Sequence, residues 1–130
     1  MRLLISIFII TSLFSCRENH SNPEVQTLYD EVMYVHDEVM PEMSTIHRLK
    51  KQIRKLSSQD SASYALIQQL EEADESMMSW MAEFKTDKKA SDDDKMIYLK
   101  KEKVKITVVS NQMKTAIEDA QTFLNNIENE

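Results

Sequence analysis

Glycine is absent from all 130 residues. That excludes a Walker-type phosphate loop, a dinucleotide-binding turn and a Gly-hinged lid, each of which needs backbone that glycine adopts most readily. Proline is scarce, with Pro23 and Pro41 the two breaks available to regular structure. Cysteine occurs once, at Cys16, so no intrachain disulfide can form. Basic charge is in deficit: 16 Lys and Arg stand against 22 Asp and Glu, a net charge of −6. A phosphate-binding surface normally has a basic excess, so no nucleic-acid partner is expected. The run Lys100-Lys101-Glu102-Lys103-Val104-Lys105 is a local exception. With Glu102 inside it and Tyr98 the one aromatic nearby, it reads as a solvated helix face.

What remains is rich in Leu, Met, Glu, Gln, Lys and Ala, all good helix formers. Val25, Val32, Val39, Ile46 and Ile53 recur every seven residues, and Leu28, Val35, Leu49 and Leu56 follow three residues behind. This alternation of three and four is a narrow seam that packs a helix lengthwise against others. Asn22 and Pro23 suit the start of a first helix over 23–56, bent at Pro41. After a polar link at 57–61, Leu66, Leu70, Ala73, Met77, Trp80 and Phe84 define a second helix over 62–85. Ser91, followed by Asp92, Asp93 and Asp94, caps a third over 91–128. Its seam is Leu99, Ile106, Met113, Ala120 and Ile127, joined by Met96, Ile117 and Leu124. Short links make neighbours antiparallel, so the expected fold is all-α: an up-down-up three-helix bundle with long, coiled-coil-like helices over 23–130. Two seam positions, Glu42 and Lys103, are charged, and counting around the turns predicts that they pair to fix the register.

Ahead of the bundle, Arg2 and the apolar run Leu3 to Leu13 have the length of a signal peptide. The run is too short for a membrane-spanning helix, which needs roughly twenty apolar residues. It ends in Leu13-Phe14-Ser15-Cys16, which resembles a bacterial lipobox, with Phe14 bulkier than the commonest residue at its place. Such a signal implies cleavage between Ser15 and Cys16 after residues 1–15. Diacylglycerol is then attached to the Cys16 thiol and an acyl chain, typically palmitate, to the new amine. Residues 16–22 become a lipidated cysteine and a polar tether. Acyl chains anchor by burying CH₂ groups at about 0.8 kcal/mol each, so two or three hold firmly.

Further residues carry a resemblance. Val35-His36-Asp37-Glu38-Val39-Met40-Pro41-Glu42-Met43, Leu49-Lys50-Lys51-Gln52 and Ala73-Asp74-Glu75-Ser76-Met77-Met78-Ser79-Trp80-Met81 resemble small lipoproteins of the Bacteroidota. That family usually carries the label "viral A-type inclusion protein". The likeness covers the leader and first two helices, and the third more loosely. It implies a lipoprotein, an envelope location and a helical bundle, and carries over no catalytic residue.

Two groups of residues are candidates for binding. Met77, Met78, Trp80, Met81 and Phe84 form the densest apolar cluster, and core packing accounts for most of it. Met78 points away from the seam, and an exposed Met/Trp patch is a candidate partner surface, since Met and aromatics are enriched at protein interfaces. His36, Met40, Met43 and His47 fall on one stripe of the first helix. Thioethers with imidazole suit Cu(I) or a haem iron, although no Cys-x-x-Cys-His attachment motif accompanies them. Packing in a methionine-rich core accounts for the same stripe, so no metal or cofactor beyond the covalent lipid is expected. Ser and Thr sit at caps and links, and no nucleophile is matched with a base, so an enzyme is not expected. The reading is a membrane-anchored lipoprotein of the bacterial cell envelope, in the outer membrane on either its periplasmic or surface face. It would act as a helical protein-binding or structural module with an envelope protein as partner. The alternatives are soft-metal or haem binding through the His/Met stripe and a self-associating coiled-coil spacer, a homo-oligomer.

Overall fold

The computed structural model describes residues 22–56, 60–86 and 90–129. Four helical segments account for nearly all of them: α1 (Pro23–Val39), α2 (Glu42–Leu56), α3 (Ser61–Glu83) and α4 (Asp92–Glu128). No strand occurs among the described residues. α1 and α2 are the arms of one bent helix of 34 residues, so the architecture is three helices packed on one another, as the heptad pattern predicts. Cross-helix pairs give the directions. Lys103 and Lys114 reach Glu31 and Glu38, so α4 runs parallel to α1. Arg54 meets Glu71 while His47 lies near Asp74, so α3 returns antiparallel to α2.

The breaks and caps follow from local chemistry. Pro41 has no N–H to offer the preceding turn. Met40 N–H still bonds the His36 carbonyl at 2.8 Å, and both Ser44 N–H (3.2 Å) and Ser44 Oγ (2.8 Å) donate to the Pro41 carbonyl. The chain therefore bends there and resumes as α2 at once. Asn22 Oδ1 accepts from Glu24 N–H, with Pro23 in the first turn. Ser91 Oγ accepts from Asp94 N–H and donates to Asp94 Oδ2, closing the start of α4. Asp60, which composition places in a link, caps α3 by accepting from Ser63 N–H at 2.6 Å.

The core is a column running the length of the bundle. All five members of the seven-residue series, Val25, Val32, Val39, Ile46 and Ile53, are buried. They meet Leu70, Ala73, Met77 and Trp80 of α3, and Leu99, Ile106, Met113 and Ala120 of α4. The bend does not break this series, because α2 continues on the same side as α1. Leu56, expected in the seam, is 49% exposed at the last residue of α2.

α4 packs against α1, α2 and α3, and this corrects the expected Glu42–Lys103 pair. A helix with neighbours on two sides buries a broader face than a single seam. On α4 that face also takes in Glu102, Val109, Ser110 and Ala116. Lys103 lies at its α1 edge and donates to Glu31 Oε2 at 2.9 Å, not to Glu42. Glu42 instead occupies the first turn of α2, where the helix dipole favours an acidic side chain. The buried charge in the seam is Glu102.

Candidate functional site

Glu102 and Trp80 form the buried polar centre of the molecule. Trp80, on the inner face of α3, is 5% exposed, and an indole N–H at that depth needs an acceptor. It donates to Glu102 Oε2 at 3.0 Å, across to α4. Glu102 is 3% exposed, and its other oxygen, Oε1, accepts from Lys105 Nζ at 2.9 Å. Lys105 stands one turn further along with a half-exposed side chain, so the charge pair leads out to water. The hydrogen bond to Glu102, and then its negative charge, raise the Lys105 pKa above its ordinary value of 10.5.

Aromatic rings surround this bond. Phe84 stacks on Trp80 with centroids 4.8 Å apart, and Tyr98 of α4 and Tyr29 of α1 flank Phe84 at 6.0 and 6.2 Å. Lys85 N–H, just past the end of α3, donates to the Tyr98 hydroxyl at 2.9 Å. The cluster thus ties α1, α3 and α4 together. Both carboxylate oxygens of Glu102 are engaged within it, which suits a structural tie rather than acid–base work.

The His/Met stripe divides at the bend. His36 packs its ring against Trp80, with centroids 5.6 Å apart, and its Nδ1 lies 2.8 Å from Asp37 Oδ1. Met40 and Met43 pack half-buried against the core. His47, on α2, is largely exposed, and its Nε2 lies 3.8 Å from Asp74 Oδ1. That is an ion-pair separation, too long for a hydrogen bond, and Asp74 Oδ1 has no hydrogen-bond partner. One histidine is therefore drawn into the aromatic cluster while the other faces outward. Among the described residues no three His, Cys, Asp or Glu side chains converge as metal ligands.

The apolar cluster expected to meet a partner is mostly interior. Met77 and Trp80 are core, and Met81 and Phe84 are half-buried against it, so these four pack inward and do not form an exposed partner surface. Met78 alone of the five is exposed, at 53%. The reason is the spacing: residues 77, 80, 81 and 84 share one face of α3 and residue 78 lies off it. The larger exposed apolar feature is on α4, where Ile97, Val104 and Val108 all stand in solvent. At 100° per residue they lie within about 40° of one another. The face buried by Leu99, Ile106 and Met113 lies directly opposite. A repeat of seven and four outside the main seam is the sequence signal for this stripe.

Two shallow grooves run beside it along the α1–α4 boundary. One, of about 450 Å³, is lined by Thr27, Asp30, Glu31, Tyr34, Val35 and Lys103. The other, of about 390 Å³, lies toward the start of both helices, between Pro23, Thr27, Leu28, Met96 and Lys100. Neither reaches Glu102. Ser15 and Cys16, the expected cleavage and lipidation residues, lie outside the described residues. Comparisons with family models, with curated proteins and with solved structures return no match.

Proposed function

We propose that this chain is a lipid-anchored protein of the bacterial cell envelope whose helical part serves as a lateral protein-binding module. The observation that carries the binding role is the outer face of α4. Ile97, Val104 and Val108 stand exposed on one line there, while the buried Trp80 and Glu102 are already paired with each other. A bundle of long helices offers flanks rather than a cleft, and flanks suit helix-to-helix contact. The anchor rests on Leu13-Phe14-Ser15-Cys16, and the likeness to small Bacteroidota lipoproteins supports it. Among the described residues no helix is long and apolar enough to cross a membrane. Attachment is assigned to lipid on Cys16 on the strength of the Leu13-Phe14-Ser15-Cys16 motif.

Metabolic labelling with a clickable fatty acid tests the anchor. The full chain is expected to take up label and sediment with membranes, and a Cys16→Ala variant to do neither. Label retained by the variant, or an unlabelled wild-type chain, would overturn the assignment.

A further inference from the structure

We infer that the outer face of α4 is a self-complementary seam that pairs antiparallel with α4 of a second copy of this chain. The inference rests on the lateral-contact reading and names its partner. The exposed line through Ile97, Val104 and Val108 continues along α4 in alternating steps of four and three residues. Lys101 and Asn111 fall between or beside the apolar positions, and Thr115, Glu118 and Thr122 extend the line. Every one of these side chains is exposed, and the whole line lies opposite the face that builds the bundle core. Two copies can therefore meet along it with their own bundles on opposite sides of the contact.

Charge selects the direction. In an antiparallel pair centred between Val109 and Ser110, Lys101 of each copy lies opposite Glu118 of the other. The same two-fold operation sets Val104 against Thr115, Val108 against Asn111 and Ile97 against Thr122. Each contact occurs twice, as an isologous interface requires. A parallel pair in register would instead set Lys101 against Lys101 and Glu118 against Glu118, and like charges in a seam are unfavourable. Lys100 reinforces the basic half of the line and Asp119 the acidic half. Five of the eight positions are polar, so the two Lys101–Glu118 pairs, and not apolar burial, set the register. With a net charge of −6 on each chain, two copies repel at long range unless such a local match is made.

The test is a photo-crosslinking residue at position 97 of the full chain, expressed in cells, with adducts mapped by mass spectrometry. Within one molecule residues 97 and 122 are about 37 Å apart along α4, so a crosslink between these regions joins two copies. That adduct is the expected result. Lys101→Glu and Glu118→Lys, each singly, should lower its yield on the order of tenfold, and the double exchange should restore it. Both residues are exposed, and a circular dichroism melt confirms that each variant still folds. Adducts between the two 97 regions, or double exchange without recovery, would overturn the antiparallel seam. An adduct to a different protein would overturn the second copy as partner and leave the lateral-contact reading standing. No protein adduct, or adducts to lipid alone, would remove both.

Discussion

Burying the Glu102 carboxylate is costly, and two donors offset that cost: the Trp80 indole N–H at one oxygen and the Lys105 ammonium at the other. Removing the carboxylate leaves the indole N–H buried without a partner. Glu102→Ala is expected to destabilise the fold by about 2–3 kcal/mol, read as a shift in the urea midpoint. Glu102→Gln keeps an acceptor for Trp80 and should cost less, about 1 kcal/mol. The pair also sets a pH dependence. Because Lys105 holds its proton more tightly when folded, its contribution is complete below its ordinary pKa of 10.5 and is lost as pH rises through the raised value. Denaturant midpoints measured from about pH 9 to about pH 12 should fall, and Lys105→Met should remove part of that fall. None of this pairing was legible in the sequence. Trp80 and Glu102 lie 22 positions apart, and Glu102 is embedded in a lysine run that reads as a solvated face. Only the neighbour on the far side of α4 turns that position inward.

At the scale of the element, the seven-residue series in α1 and α2 was fully legible because it has one structural solution, a helix with one side buried. The Pro41 bend, the Asn22 cap and the Ser91 cap follow from backbone chemistry within a few residues, and they too could be read directly. What could not be read is how wide a face each helix buries. That width depends on how many neighbours it touches. α3 exposes Met78 and buries Met77, and adjacent residues of the same type therefore give a clean comparison. Met77→Ala should cost about 2–5 kcal/mol by leaving a cavity in the core. Met78→Ala should change stability by no more than about 0.5 kcal/mol. Thermal unfolding of the two variants side by side decides it. Equal effects would mean that the face assigned to α3 is wrong.

At the scale of the whole molecule, the proposed anchor and the proposed α4 seam constrain each other. α1 and α4 run parallel, so the start of α4 lies beside the start of α1. The proposed antiparallel pair would carry the N-terminal ends of its two bundles, and the proposed anchors with them, at opposite ends. If both Cys16 lipids enter one membrane, the pair lies along the surface rather than standing on it.

The proposed lateral-binding role depends most on the outer face of α4 meeting protein. A photo-crosslinking residue at position 104, compared in cells with one at Glu72 on an exposed part of α3, tests this directly. The prediction is a defined protein adduct from position 104 and none from position 72. Position 104 yielding no protein adduct, or both positions yielding the same ones, would contradict the account.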